Sequence, residues 1–370
     1  MKTIALIGGK LQGFEVTYLA RKAGINVLLI DKHNYPLIRG LVDEFYCFDV
    51  TENSERLIEV SQNVDAIIPV NENQVTINFL ETMVDALYCP LLFDFYAYRI
   101  SNDKKKSKEY FKSIGVPTPM DYPCKLPCII KPLCESSSIG VSIIHDYEHL
   151  ELDANELKII EEFIEGDVIS LEVIGDGTHF SVIKETKVHI DEKYDCHMIT
   201  PLEHDSEFRN IAYNLASNLK LKGIMDVEAI INSEDLRIIE IDARFPSQTP
   251  IVVYHSTGVN LLVLLMQAFS RGVQEIETVT QNNYCILEHV MLKEGQLIPV
   301  DEQILSGATN YSWFYNSEKL EIFKCSGDYP AFTMITWGAD KLTVEEMRDK
   351  GFSIIKNEHL TPRYNKIMRH

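Results

Sequence analysis

Three carboxylates in the second half of the chain are spaced for metal chemistry. Glu240 and Asp242, in IIEIDAR, are two residues apart and share a face if that stretch is a strand. Glu228, in DVEAII, meets Glu240 across the sheet if the two stretches pair through the turn NSED. Three hard oxygen donors among apolar neighbours suit Mg²⁺, which takes one or two carboxylates and completes its shell with phosphate oxygens. Arg244 follows on the same face, where its planar fork can hold a carboxylate or a phosphate beside the metal. An acidic strand edge with an ordinary salt bridge has the same spacing, so the set gains meaning from what accompanies it.

Its companions lie upstream. Lys131 ends the apolar run CIIK, and Lys104 opens a basic helix. Two lysines from separate elements can clamp nucleotide phosphates as point charges, where either alone would ordinarily be solvated surface. The stretch ESSSIG, Glu135 to Gly140, runs into Val141 and offers backbone N–H groups with the hydroxyls of Ser136, Ser137 and Ser138. Such a run can fold over phosphates as a lid, and it is also the composition of a plain loop. In EEFIEG, Glu161 and Glu162 precede Phe163 and Ile164. An adenine ring needs that kind of apolar slot with main-chain polar groups along its rim.

These residues need elements to position them. KTIALIG, NVLLID, EFYCFDV and DAIIPVNEN read as short strands, alternating with helices in FEVTYLARKAG and TENSERLIEVSQNV. That alternation predicts a parallel sheet with helices on both faces, and ligands on such sheets lie past the carboxyl ends of the strands. Those ends carry Gly8 to Gln12, Asp31, Asp49 and Asn71 to Asn73. Backbone N–H groups at Lys10, Leu11 and Gln12 are suited to an amino-acid carboxylate and Glu72 to its ammonium, although Glu72 also stands where an acid would cap a helix starting near Gln74. Beyond residue 100 the reading is a basic helix, a hairpin through Lys131, a linking strand, and a hairpin turned at Gly-Asp-Gly. A helix over 206–222 closed by Gly223 follows, then the two carboxylate strands and the apolar helix VNLLVLLMQAF. Residues after about 280 read as a mixed α/β tail. The expected units are 1–95, 96–275 with a lid over roughly 103–165, and 276–370.

Composition narrows the partners. A formal net charge of −20 over 370 residues disfavours nucleic acid, whose phosphates want Lys and Arg surfaces. The longest apolar run, Leu261 to Met266, is too short for a membrane span. The N-terminus reads as a strand and turn rather than a leader, and the eight cysteines lack paired C-x-x-C spacing, so reduced thiols in a cytoplasm are expected. The turn GGKLQG and Asp31 imitate a dinucleotide fingerprint, but the glycine spacing differs from G-x-G-x-x-G. A non-catalytic acidic adaptor would not need the lysines.

In order, the parts are a lysine, a lysine with a small-residue loop, an acidic linker, then Glu…Glu-x-Asp-x-Arg. Over about residues 1–270 this order resembles the ATP-grasp superfamily, which includes carboxylate–amine ligases and biotin-carboxylase-like enzymes. The resemblance implies an ATP-grasp fold behind a Rossmann-like domain. It implies ATP and two Mg²⁺ ions, with an acyl phosphate that an amine attacks to form an amide. It makes Lys104 and Lys131 phosphate lysines and Ser136, Ser137, Ser138, Ile139, Gly140 and Val141 the mobile loop. Glu161 would meet the adenine amino group, with Glu162, Phe163 and Ile164 along the base. Glu228, Glu240 and Asp242 would hold the metal, and Arg244 the acyl phosphate. Two positions depart from the family: Asp242 stands where Asn is common, and Val168 stands where a ribose-binding Glu is common, leaving Asp167 for that role. A homodimer is expected by analogy of fold.

Over the whole length, MKTIALIGGKLQGFE, DAIIPVNENQVTINFL, NDKKKSKEYFKSIGVPTP and KPLCESSSIGVS resemble the ligase family of pyrrolysine biosynthesis. That resemblance implies small-molecule amino-acid substrates: 3-methyl-D-ornithine or D-ornithine as the acid, and the ε-amine of L-lysine as acceptor. Asp226 and Ser233 are then candidates for the diamino acid. The alternative within the superfamily is another amino-acid ligase or a purine-pathway carboxylase. The lysine amine is mostly protonated at neutral pH and needs a base, which no residue pattern identifies.

Overall fold

The computed structural model describes residues 1–134, 140–146, 157–192, 194–233, 235–273, 283–326 and 330–358. An N-terminal parallel sheet is built from β1 (Thr3–Ile7), β2 (Asn26–Asp31), β3 (Glu44–Cys47) and β4 (Ala66–Pro69), in the order β3-β2-β1-β4. Helix α1 (Leu11–Lys22) follows β1 directly, and α2 (Ser54–Ser61) and α3 (Gln74–Met83) complete the alternation. The β1–α1 turn needs its glycine. Gly8 has φ +105, and a Cβ there would lie 2.9 Å from Asn71 Cβ and Val70 O.

Helices α4 (Phe95–Ser101) and α5 (Lys104–Ser113) lead to a small antiparallel sheet, order β6-β5-β7, of β5 (Cys128–Pro132), β6 (Ser142–Ile144) and β7 (Lys158–Glu162). The rest is one ten-stranded sheet. It contains β8 (Asp167–Asp176), β9 (Phe180–Ile190), β10 (Cys196–Pro201), β11 (Lys222–Ile231) and β12 (Leu236–Asp242). It continues through β13 (Tyr284–Lys293), β14 (Gln296–Pro299), β15 (Thr309–Ser317), β16 (Leu320–Ser326) and β17 (Ala331–Gly338). The order is β12-β11-β8-β9-β10-β13-β17-β16-β15, with β14 paired to β13. Residues from 283 onward therefore extend the sheet that carries the acidic strands. Helices α6 (Ser206–Leu219), α7 (Thr249–Thr257), α8 (Leu261–Ser270), α9 (Glu302–Ser306) and α10 (Lys341–Glu358) pack around it.

One expected boundary is displaced. Helix α6 ends at Leu219, where Lys220 takes the left-handed conformation (φ 51) and Leu221 N donates to Ala216 O. Gly223 instead lies inside β11 opposite Gly175.

Helix α1 locks the two halves together. Every residue from Leu11 to Ala20 is buried, because one side meets its own sheet and the other meets α7 and α8. A single core cluster joins Ile4, Phe14 and Leu19 to Ile251, Leu265, Leu287 and Phe323. Among the described residues no single helix is long and apolar enough to cross a membrane.

Two histidines are sealed into this core. Burial pushes His255, hydrogen-bonded to Tyr18 Oη at 2.6 Å, down to about 3, with Lys22 adding to the fall. Burial likewise pushes His289 down to about 3, with His197 contributing. Each stays neutral in the folded chain but gains a proton near pH ~6.5 once unfolded. Their stabilisation is complete above that pH and drains away as pH falls towards 3. The melting temperature is expected to fall between pH 7 and 5, with a shallower slope in His289→Asn. Parallel slopes would refute the assignment.

Candidate active site

A cavity of about 1090 Å³ opens where the carboxyl ends of the parallel sheet face the small sheet and strands β11 and β12. Gly8 to Gln12 and Glu72 line one wall, Lys104, Lys131, Val141 and residues 161–166 another, and Asp226, Glu228, Glu240, Asp242 and Arg244 the floor. Residues from three separate sheets thus line one cavity.

The floor is a cross-strand ladder. Asp226 pairs with Asp242 and Glu228 with Glu240, all on one face. A bulge after Glu228 leaves Ile239 without a counterpart, and Ile239 lines the cavity. Burial pushes Asp226 up to about 8, and Asp242 and Glu240 add to the rise although Arg244 opposes it. Burial also lifts Glu228 to about 8, with Asp226 and Glu240 adding to it. Asp242 is raised well above its usual range by the same burial, against the pull of Arg244.

Two cations answer these acids. Burial works against the Lys104 ammonium, yet Glu240 Oε1 at 2.6 Å from its Nζ, with Asp242 and Glu228, raises its pKa. Arg244 is 8% exposed. Its Nε donates to Glu72 Oε1 at 2.7 Å, its Nη2 to Asp242 Oδ2 at 2.8 Å, and its Nη1 lies 3.6 Å from Asp226 Oδ1. Gln12 Nε2 donates to the same Glu72 oxygen at 2.6 Å. Glu72 does not cap the following helix: Asn73 Oδ1 accepts from Thr76 N and takes that role.

No group of three or more His, Cys, Asp or Glu forms a ready cation cage among the described residues. The donor chemistry nevertheless fits Mg²⁺. Four carboxyl groups crowd one half-buried face of the sheet, and Asp226 Oδ1 is buried without a hydrogen-bond partner. A cation that shares its shell with phosphates does not require a closed protein cage.

On the nucleotide side, Glu161 is 3% exposed. Its Oε1 accepts from Lys131 Nζ at 2.7 Å and its Oε2 from Lys108 Nζ at 2.5 Å. Burial alone would raise the Glu161 carboxyl, but the two ammonium groups hold it below its usual range. The carboxylate is engaged with lysines, so the groups left facing a base are those of Glu162, Phe163 and Ile164, which line the cavity.

Not every expected residue arrives. Asp167 is exposed and paired with Lys187 at 2.7 Å, outside the cavity lining, because the first residue of β8 points away from the cleft. Ser233 lies exposed in the β11–β12 turn, five residues past Glu228 or roughly 16 Å of strand. Gly140 closes against Pro132 and does not line the cavity. Ser136, Ser137, Ser138 and Ile139 lie outside the described residues.

Three residues escaped sequence reasoning. Lys108 is hidden in a lysine-rich run. Glu302 lines the cavity and accepts from Gln248 Nε2 at 2.6 Å. Glu172 lies opposite Asp226 on β8 with both carboxylate oxygens buried and without a hydrogen-bond partner. Burial, with Asp226 contributing, lifts it to about 8. An acid in the middle of the apolar strand VISLEVIG was its only signal.

Against known proteins, the ATP-grasp domain family matches residues 101–248. The 3-methyl-D-ornithine–L-lysine ligase of Methanosarcina barkeri is 58% identical over 96% of this chain and 98% of its own length. Its counterpart in Methanosarcina acetivorans is 57% identical with the same coverage of both chains. Among solved structures, biotin carboxylase of Campylobacter jejuni superposes with a TM-score of 0.74 at 15% identity, covering 94% of this chain and 90% of its own. An L-amino acid ligase from Bacillus licheniformis gives 0.65 at 16% identity, covering 97% and 98%. At such identities the structures speak for the fold.

Proposed function

We propose how the cleft works from one premise: this chain belongs to the 3-methyl-D-ornithine–L-lysine ligase family of ATP-grasp enzymes. It is an ATP-dependent ligase that forms an amide between 3-methyl-D-ornithine and L-lysine. The formate-dependent phosphoribosylglycinamide formyltransferases of Prochlorococcus marinus and Saccharolobus solfataricus are 25% and 23% identical, well below the ligases.

In our reading the adenine lies along Glu162, Phe163 and Ile164. Lys104 and Lys131 hold the phosphates, with Val141 beside them in the cavity wall. Glu228, Glu240 and Asp242 would hold Mg²⁺, two ions in the full complex, which offset the charge that grows on the transferring phosphoryl group. The ornithine carboxylate takes the γ-phosphoryl group to give an acyl phosphate and ADP. Arg244 steadies that acyl phosphate and then the oxyanion formed when the amine adds, before the carbon–oxygen bond to phosphate breaks and inorganic phosphate leaves with the amide formed. Asp226, on the cavity floor, is placed to accept from an ammonium group of the diamino acid.

Lysine enters from the parallel sheet. Backbone groups at Lys10, Leu11 and Gln12 hold its carboxylate and Glu72 its α-ammonium, leaving the ε-amine to reach the acyl phosphate. Residues 1–95 then serve the amine, 96–275 the nucleotide and metal, and 276–370 complete the sheet. A homodimer in the cytoplasm, acting in pyrrolysine biosynthesis, belongs to the same reading. The observation that carries it is the Glu228–Glu240 and Asp226–Asp242 ladder, with Lys104 and Arg244 clamped above it.

ADP release with ATP, Mg²⁺, 3-methyl-D-ornithine or D-ornithine, and L-lysine tests it, omitting each component in turn. The expected product is a condensed dipeptide by mass spectrometry, linked at the ε-nitrogen, that requires every component. Turnover with other acid–amine pairs only would sink the substrate assignment.

A further inference from the structure

We propose that Lys108 is a positioning residue for nucleotide binding: it neutralises Glu161, so that Lys131 meets the phosphates as an uncompensated cation. The proposal rests on the reading of Lys131 as a phosphate lysine.

The geometry is a buried triad. Lys108 stands one turn after Lys104 on α5, is 6% exposed, and donates to Glu161 Oε2, while Lys131 takes Oε1. With Lys131 as its only partner, Glu161 would cancel the lysine beside it in a low-dielectric wall, and the pair would exert little pull on an anion. With Lys108 present, two ammonium groups share one carboxylate and a net positive charge remains in the wall where Lys131 lines the cavity. The other acid on Lys108 is Asp121, at 2.8 Å, which is 48% exposed and is itself held by Lys112. Its screening by solvent is correspondingly strong. Across the five groups, three ammonium charges face two carboxylates.

The same arrangement makes the test clean. Removing the Lys108 charge orphans no buried acid, since Glu161 keeps Lys131 and Asp121 keeps Lys112. Lys108→Met is therefore expected to fold, as checked by its thermal melt. Its KM for ATP is expected to rise about tenfold, with the KM for each amino acid unchanged. Lys108→Arg, which retains the charge, should restore the KM for ATP to within about threefold of wild type. Lys108→Gln is the fallback if the methionine variant does not fold, and it should show the same rise. In a Glu161→Gln background there is no carboxylate to neutralise, so Lys108→Met should no longer raise the KM for ATP. An equal rise in both backgrounds overturns the proposal, as does an unchanged KM in the single variant. Lys131→Met separates the two levels. If it leaves the KM for ATP unaltered, the phosphate reading itself fails. If it raises that KM while Lys108→Met does not, only the role of Lys108 falls.

Discussion

Arg244→Lys is expected to lower kcat/KM by about a thousandfold while the enzyme still folds. The guanidinium engages Glu72, Asp242 and Asp226 from three different nitrogens, an arrangement that one ammonium cannot reproduce. Lysine keeps a positive charge among buried acids, so the variant avoids the cost of leaving them wholly uncompensated. What it loses is the fork that holds two oxygens of an acyl phosphate in fixed geometry. The effect should fall mainly on kcat, because the negative charge being stabilised develops during reaction. Steady-state ADP release and a thermal melt on the same preparation decide the matter. A lysine variant within tenfold of wild type in kcat/KM would remove Arg244 from the reaction centre.

Glu240→Gln should pull two measurements in opposite directions. Glu240 faces Glu228 across the sheet and also holds Lys104. Losing its charge removes a metal ligand, and kcat is expected to drop about a thousandfold, with more Mg²⁺ needed for half-maximal rate. The same change frees the Lys104 ammonium and relieves repulsion with Glu228. ATP binding in the presence of a chelator should therefore tighten severalfold, as read by calorimetry. Weaker metal-free binding would refute the restraint on Lys104, and an unchanged Mg²⁺ requirement would show that Glu240 serves Lys104 alone.

What the sequence made legible was local. The period of two in IIEIDAR and the short NSED turn sufficed to put Glu228 opposite Glu240, and Arg244, just past the strand, reaches Asp242 and Asp226. The alternation of strands and helices before residue 90 sufficed for a parallel sheet, and so for Gln12 and Glu72 at its carboxyl end. What stayed hidden was set by partners far away in the chain. Lys108 looks like any other lysine of its run until Glu161, 53 residues later, folds against it. Asp167 occupies a plausible place by count, but the pleat of β8 directs it to Lys187. Strand β10 and helix α7 carry no strong periodic signal of their own, and the pairing of β10 with β13 has no trace in either segment. Gly223 misled because glycine usually ends helices, whereas here Lys220 accepts the left-handed strain.

The pairing of β10 with β13 has a consequence for how this chain can be divided or recombined. A cut in the connection between α8 and β13 would not release a self-sufficient module. It would expose the facing edges of two strands that are bonded to each other in the intact sheet. Bare edges of that kind pair with whatever strand they meet, so each fragment, made separately, should self-associate. Mixed from unfolded stocks, the fragments should recover solubility only by finding each other. Grafting the last ninety or so residues of a distant relative would meet the same obstacle. The exchange would have to preserve a hydrogen-bonded seam through the middle of a sheet, rather than a flexible joint between bodies.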